Sequence, residues 1–240
     1  MCTVTIFYKG KNDFILTSNR DESPQRESTP PKFYMEESAK LLYPKDKMSG
    51  GTWIGISDKN RLICLLNGGF EFHERKKTYQ KSRGLIVKDL LASNNFSLAV
   101  KNYNFKEIEP FTIVTVDWNN GLEFIEVVWD GNELHCQLIP LRTQIWSSST
   151  LYSKEMKKER HQWFSDYRSR FELNARSLFE FHSTETDNKD YGIIMNREFV
   201  KTTSITQVEK TNDILKMKYC DLKMNQNFIN EFKLPISVDE

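Results

Sequence analysis

The second residue of the chain, Cys2, is the first candidate for chemistry. An initiator methionine is normally trimmed when the next residue is small, so we expect a mature chain that begins with a cysteine bearing a free α-amine. The ordinary pKa of a thiol is about 8.5 and that of an α-amine is about 7.7–8.0, so the amine can act as the base that activates the sulfur. A cysteine also occurs at this position without any catalytic role, and the residues around it must decide between the two interpretations.

The tetrapeptide NRDE, residues 19–22, is the second candidate, and it follows an apolar run. If it lies beside Cys2, Asp21 could accept hydrogen bonds from the α-ammonium group and fix its orientation. The charge of Arg20 could hold the sulfur as a thiolate. The alternative interpretation is a salt-bridged strand end in solvent.

Asn67 is the third candidate, because it closes a predicted strand and is followed by Gly68 and Gly69. Its side-chain amide could donate to a developing oxyanion, and the glycines would allow a substrate to approach closely. The alternative interpretation is an ordinary Asn-Gly-Gly turn.

The first two predicted strands would position these groups. Residues 3–8 and 14–18 are short β-prone runs separated by the turn-forming sequence KGKND, which predicts a hairpin. The end of the second strand of a hairpin returns beside the start of the first. The sequence therefore places the tetrapeptide next to Cys2.

The remaining pattern predicts an α+β protein with antiparallel sheet. Residues 23–47 are rich in proline, serine and charge, and they predict a long surface excursion. Helices are predicted from Ser82, over residues 97–103 and over residues 153–182. Further strands are predicted over residues 52–57, 62–66, 111–118, 122–129, 133–140, 191–195, 199–208 and 214–222. Strands that follow one another in runs, broken by blocks of helix, favour antiparallel sheet over alternating βαβ units.

Composition limits the classes of function. The 240 residues predict one domain spanning residues 1–240, and 34 Lys plus Arg against 33 Asp plus Glu leave no overall field for nucleic acid or anionic membrane. No apolar stretch approaches the roughly 18 residues that a membrane span needs, and the opening run lacks the features of a signal peptide. We therefore expect a cytoplasmic protein. The basic clusters at residues 75–77 and 157–160 are interpreted as solvated faces.

The other three cysteines, Cys64, Cys136 and Cys220, lie in apolar strand patterns and are expected to be small buried hydrophobic residues. Their spacing is not that of a zinc site, and we expect neither a metal nor another cofactor.

The motifs together resemble the NRDE family, also called the transport-and-Golgi-organisation-two family. The resemblance rests on the Met-Cys start, the NRDE tetrapeptide, Arg26, the sequence GGTWIGI at residues 50–56, and Asn67. It is specific over about residues 1–92 and thinner beyond. It implies an N-terminal-nucleophile hydrolase-like αββα sandwich, in which two mostly antiparallel sheets lie between layers of helix.

The beginning of the chain is also similar to bile-salt hydrolases and penicillin V acylases. That similarity implies Cys2 as the nucleophile, Asp21 as the anchor of the α-amine and Asn67 as part of the oxyanion hole. The chain departs from the acylase pattern where an arginine is replaced by Ser18 and a second asparagine by Ser148. Arg20 falls on a variable position of that pattern, and alternation along a strand points it to the opposite face. A late arginine of the NRDE pattern is Lys201 here.

Two functions follow as expectations. The first is an N-terminal-cysteine amidohydrolase for a small amide or acyl substrate, with Cys2, Asp21, Asn67, Arg20 and Ser148 as site residues. The second is a non-catalytic binding or trafficking protein for haem, lipid or acyl-coenzyme A. Haem would need an axial ligand, which Cys2 or His73 could supply.

Overall fold

The computed structural model describes residues 3–233, which form 13 strands and four helices. The strands are β1 (Thr3–Gly10), β2 (Asp13–Glu22), β3 (Ser28–Glu36), β4 (Ala39–Asp46), β5 (Ile54–Ser57), β6 (Arg61–Asn67), β7 (Phe111–Asp117), β8 (Glu123–Trp129), β9 (Leu134–Ile139), β10 (Gln144–Ser147), β11 (Lys201–Thr211), β12 (Ile214–Asp221) and β13 (Gln226–Lys233). The helices are α1 (Arg83–Ala92), α2 (Phe96–Asn102), α3 (Lys154–Arg170) and α4 (Ala175–His182).

The strands form two sheets. One has six strands in the order β10-β1-β2-β11-β12-β13, and the other has seven in the order β3-β4-β5-β6-β7-β8-β9. Each of these neighbouring pairs is antiparallel. Apolar side chains from both sheets meet in a shared core, among them Val4, Leu16, Ile56 and Val116. The two sheets therefore pack face to face.

Helices cover the outer face of each sheet. Helices α1 and α2 pack on the seven-stranded sheet through buried residues such as Ile86 and Val100, and α3 and α4 pack on the six-stranded sheet through Phe164 and Leu178. These layers confirm the predicted αββα sandwich.

The predicted hairpin of β1 and β2 is confirmed, and its register positions the site. Thr3 pairs with Asn19 on one side and with Ser147 of β10 on the other. The first described residue is thus flanked by the NRDE tetrapeptide and by the segment that leads to Ser148.

The predicted surface excursion at residues 23–47 is wrong. This segment supplies β3 and β4, and the run Leu41, Leu42 and Tyr43 is fully buried. The two consecutive prolines, Pro30 and Pro31, lie on the edge strand β3 where the pairing register shifts, and such a position tolerates a missing N–H. A segment rich in proline can therefore form an edge strand, although its composition is typical of a loop.

The last third of the chain differs from the sequence-based expectation in three ways. The helical region 153–182 is two helices, because α3 ends at the extended residue Phe171 and a capping box of Asn174 and Ser177 starts α4. Residues 191–195, which were predicted as a strand, are not in one. Strands β10 and β13 had no predicted counterpart.

The predicted burial of the three cysteines holds for Cys64 and Cys220 but is wrong for Cys136. Cys136 lies on β9, the other edge of the seven-stranded sheet, where no residue is fully buried and half are exposed. Among residues 3–233, no helix has the length and apolar character needed to cross a membrane.

The segment GGTW is held by a close contact between two glycines. A Cβ atom on Gly51 would lie 2.4 Å from the carbonyl carbon of Gly84, and the Thr52 N–H donates to the Gly84 carbonyl at 3.0 Å. This contact fixes the start of α1 against the residues that lead into β5. It brings Trp53 and the first turn of α1 to the same wall of a cleft.

Candidate functional site

The carboxylate of Asp21 is held rigidly at the end of β2. Its side chain is buried, its Oδ1 accepts from Thr202 Oγ1 at 2.6 Å, and its Oδ2 accepts from the Tyr152 hydroxyl at 2.9 Å. Thr202 is also the register partner of Asp21 across the ladder between β2 and β11. Two elements distant in sequence therefore fix the orientation of this carboxylate.

The predicted nucleophile, Cys2, lies outside the described residues, so Thr3 defines the start of β1. The Thr3 hydroxyl accepts from the guanidinium of Arg160, which lies on α3 and is fully buried. Arg160 also donates to the Ser147 hydroxyl at 3.1 Å and to the Gly192 carbonyl at 2.8 Å. The expectation that residues 157–160 form a solvated face is therefore wrong for Arg160.

Arg160 also links the start of β1 to Asp21. Its guanidinium carbon lies 4.2 Å from the centre of the Tyr152 ring, and Tyr152 donates to Asp21. Sequence analysis missed this residue. The only available signal was its helical spacing of four residues from Phe164, the other buried residue of α3.

Beneath this end of the sheet lies a buried polar network around His182. Asn19 uses its amide nitrogen to donate to the carbonyls of His182 and Ile193, so its oxygen faces His182 Nδ1 at 2.6 Å. The imidazole is thus a donor at Nδ1, and its Nε2 accepts from the Thr5 hydroxyl at 2.7 Å. Burial, with a smaller contribution from the charge of Arg160, lowers the pKa of His182 to about 3.

We expect His182 to make the folded state sensitive to mild acid. Its pKa is about 3 in the folded protein and about 6.5 in an unfolded chain, so the unfolded state binds the additional proton as the pH falls through this window. Lowering the pH from about 7 to about 5 should therefore cost about 2 kcal/mol of unfolding free energy. Urea denaturation of wild type and His182→Gln at both pH values measures this difference.

The matched control for this prediction is His135→Gln, which replaces a histidine on the edge strand β9. It should keep the wild-type loss of stability between the two pH values, whereas His182→Gln should lack most of it. An equal loss in all three proteins would contradict the assignment to His182.

Arg20 faces the gap between the sheets, on the opposite side of β2 from Asp21. It donates to Asp46 of β4 at 2.8 Å and to Thr203 at 3.2 Å, and its guanidinium lies 4.6 Å from the centre of the Trp53 ring. The tetrapeptide thus sends its arginine and its aspartate to different surroundings, as strand alternation requires.

Asn67 lies at the end of β6 and is half-buried. Its main-chain carbonyl accepts from the Ser149 N–H at 3.2 Å, while the described residues provide no hydrogen-bond partner for its side-chain amide. The next residue, Gly68, has a φ of 85°, a left-handed conformation that favours glycine. The amide of Asn67 is therefore available to a ligand.

Ser148 is buried and its hydroxyl lies 3.3 Å from that of Thr150. Ser18 is also buried, whereas Lys201 is exposed and stands opposite Glu22 in the ladder. His73 lies 3.5 Å from the carboxylate of Glu109.

Arg20 and Asn67 line one cleft, which has a volume of about 310 Å³. Trp53 and Leu65 form another part of its wall, and the segment from residue 75 to residue 84 supplies most of the remainder. Asp21 and Ser148 are not part of the lining. Within the described residues 3–233, no group of three or more His, Cys, Asp or Glu side chains is placed to hold a metal ion.

Solved structures share this architecture. An N-acylethanolamine-hydrolyzing acid amidase orthologue from Caenorhabditis elegans matches with a TM-score of 0.58 and 12% identity, over 86% of this chain and 92% of that chain. The C2A mutant of conjugated bile acid hydrolase from Clostridium perfringens matches with a TM-score of 0.50 and 10% identity, over 100% and 99%. Penicillin V acylase from Agrobacterium tumefaciens matches with a TM-score of 0.50 and 10% identity, over 96% and 86%.

At these identities the likeness shows the fold, which is that of N-terminal-nucleophile hydrolases. No curated protein matches the chain in sequence. The family model for Transport and Golgi organisation 2 matches residues 1–214, which is most of the chain. The chain therefore belongs to the Transport and Golgi organisation 2 family, the family of the NRDE tetrapeptide.

Proposed function

We propose that the chain is an N-terminal-cysteine amidohydrolase that acts on a small amide or acyl substrate, with Cys2 as its nucleophile. The observation that carries the proposal is the buried carboxylate of Asp21, oriented by Thr202 and Tyr152. It lies on β2 two residues beyond Asn19, which pairs with Thr3, the residue that follows Cys2. A fixed negative charge at this point is suited to bind and orient an α-ammonium group.

In the proposed reaction the thiolate of Cys2 attacks the carbonyl carbon of the amide and forms a tetrahedral oxyanion. The amide of Asn67, together with a backbone N–H, would donate to that oxyanion. The α-amine of Cys2 carries the proton from the thiol to the leaving amine as the carbon–nitrogen bond breaks. Water then attacks the thioester and releases the carboxylic acid.

The other cysteines are less suited to this role. Cys64 is fully buried, and burial raises its pKa to about 12. Burial also raises the pKa of Cys220. Cys136 is exposed but lies on the edge strand β9, which does not contribute to the cleft. We therefore assign the reaction to the thiol of Cys2, whose α-amine Asp21 is proposed to bind.

We also propose that residues 1–240 form one domain. The core between the sheets supports this, because it combines Val4 and Ile6 from the start of the chain with Met217 and Phe232 from β12 and β13. The two ends of the described chain therefore depend on the same packing.

Alkylation of the protein tests the proposed nucleophile. The intact mass first establishes whether Met1 is removed and whether the new amino terminus is unmodified. Limited treatment with iodoacetamide, followed by peptide mapping, should then label Cys2 ahead of Cys136. Cys2→Ser should lose this early labelling, and the matched control Cys136→Ser should keep it. Retention of Met1, acetylation of the terminal nitrogen, or early labelling that survives in Cys2→Ser would contradict the proposal.

A further inference from the structure

The cleft that contains Asn67 has a strongly basic lining. Seven of its lining side chains are Lys or Arg and three are Asp or Glu, although the whole chain carries a net charge of only +1. The basic residues are Arg20, Arg26, Arg75, Lys76, Lys77, Lys81 and Arg83, and the acidic residues are Glu22, Asp46 and Glu109. The positive charge is therefore a local property of this cleft.

Asp46 is shared between two cations of the lining. It accepts from Arg20 at 2.8 Å and from the Nε of Arg26 at 2.8 Å. Burial would raise its pKa, but the N–H of Ser49 and the charge of Arg26 outweigh burial and hold the pKa below its ordinary value. Arg26 also pairs with Glu22 at 3.2 Å, so these two guanidinium groups are matched by two carboxylates, and the unbalanced positive charge of the lining lies elsewhere.

Glu109 is shared in the same way. Its carboxylate lies 3.1 Å from Arg83 and 3.8 Å from Arg75. Burial, the largest cause, lowers the pKa of Arg83, and the nearby charges of Arg75 and Arg26 lower it further against the opposing effect of Glu109. Among the described residues, Glu109 is thus the one carboxylate within 4.0 Å of either of these two guanidinium groups.

Two further cations of the cleft lining, Lys76 and Lys77, have no acidic partner among the described residues. Lys76 and Lys77 are exposed, and no carboxylate of the described residues lies within 4.0 Å of either ammonium group. The ten-residue helix α1 begins at the same wall, and its N-cap Ser82 makes no side-chain cap hydrogen bond. Its first turn contains no acidic residue, so the partial positive charge of the helix end adds to that of the lysines.

We infer that the wall formed by residues 75–84, here called the basic wall, binds an anionic group of the substrate such as a carboxylate, a phosphate or a sulfonate. The substrate of the proposed reaction would then be an amide or acyl compound with a negative charge away from the reacting carbonyl. This inference rests on the proposed function for the identity of the reacting centre. The anion site itself rests only on the charges of the cleft.

Binding of inorganic pyrophosphate to the Cys2→Ser protein tests the anion site without any catalysis. Isothermal titration at low ionic strength, where screening is weak, should detect binding. Lys76→Glu/Lys77→Glu should weaken the affinity about tenfold or more, since each reversal replaces an attraction by a repulsion. Both lysines are exposed, so circular dichroism should show the wild-type fold.

The matched control is Arg142→Glu/Lys158→Glu, because Arg142 and Lys158 line a separate basic cavity between the start of β10 and α3. This variant carries the same change of net charge and should keep the affinity within about twofold. Absence of pyrophosphate binding, or equal weakening in both double variants, would overturn the anion site.

A pair of alkylating reagents connects the basic wall to Cys2. Iodoacetate carries the negative charge that iodoacetamide lacks, and both alkylate a thiolate with loss of iodide. The rate constant for iodoacetate divided by that for iodoacetamide should be higher at Cys2 than at Cys136, and Lys76→Glu/Lys77→Glu should lower this quotient at Cys2 about tenfold. Because both reagents react with the same thiolate, the quotient does not depend on the thiolate fraction. An unchanged ratio would overturn the inference about the substrate. Failure of both reagents to modify Cys2 would overturn the proposed function, while pyrophosphate binding would still support the anion site.

Discussion

Replacing Arg61 by methionine should lower the free energy of unfolding by about 3–5 kcal/mol, because it leaves a carboxylate without its cation in the interior. Arg61 is fully buried on β6, and its Nε donates to Asp117 of β7 at 2.9 Å. Burial, the largest cause, lowers the pKa of Arg61, and Asp117 opposes that shift. Removal of either charge therefore leaves the other buried without its partner.

Arg61 also closes the end of α1. Its Nη1 donates to the carbonyl of Leu90 at 2.8 Å, to the carbonyl of Ser93 at 2.9 Å and to the Ser93 hydroxyl at 3.1 Å. Carbonyls at the last turn of a helix have no intrahelical donor, so the guanidinium replaces one. Its loss would weaken the packing of α1 on the sheet as well as the ion pair.

Urea denaturation of Arg61→Met measures this effect, and Arg168→Met, which removes an exposed arginine of α3, is the control. The control should change the free energy of unfolding by less than about 0.5 kcal/mol. The double variant Arg61→Met/Asp117→Leu should recover much of the loss, since it removes both charges. A loss below about 1 kcal/mol in Arg61→Met would contradict the assignment of a buried ion pair.

The parts of the fold that could be predicted are those in which the local sequence pattern agrees with the position of the segment in the tertiary structure. The hairpin of β1 and β2, helix α1 and the meander of β7, β8 and β9 combine clear periodicity with turn residues at the right positions. Residues 23–47 were not predictable from composition, since Pro30 and Pro31 lie at an edge irregularity of β3 and charged residues such as Lys32 are exposed although they belong to a strand. The apolar run from Leu41 to Tyr43, which is buried in the structure, was the sequence feature that indicated a strand in spite of the prolines and charges.

In the candidate site, too, some residues could be predicted from the sequence and others could not. Asp21 and Asn67 stand at strand ends that the sequence predicts, so their neighbourhoods follow from hairpin geometry. The surroundings of Arg160 and His182 could not be predicted in this way, because burial of a charged or titratable side chain depends on partners from distant elements. The run KKER around Arg160 has the composition of a solvated face, and only packing against β1 and Tyr152 distinguishes its last residue.

Replacing Asp21 by asparagine should lower kcat/KM of the proposed amidohydrolase about 100-fold, because the charge that holds the α-ammonium group would be lost. The substitution preserves shape but leaves one acceptor oxygen for two hydroxyl donors, Thr202 and Tyr152. One of these hydroxyls would lose its acceptor, at a cost of about 1–3 kcal/mol in stability. That loss is small enough for the protein to remain folded. Hydrolysis of a panel of acyl 4-nitroanilides measures the activity, and urea denaturation measures the stability.

Tyr152→Phe is the matched variant that separates charge from packing around Asp21. It removes the 2.9 Å hydrogen bond to Oδ2 but keeps the carboxylate, which still accepts from Thr202. Its stability loss should therefore resemble that of Asp21→Asn, while its kcat/KM should fall less than about tenfold. Equal activity losses in the two variants would assign Asp21 a structural role only. An asparagine variant as active as wild type would exclude the carboxylate as the anchor of the α-amine.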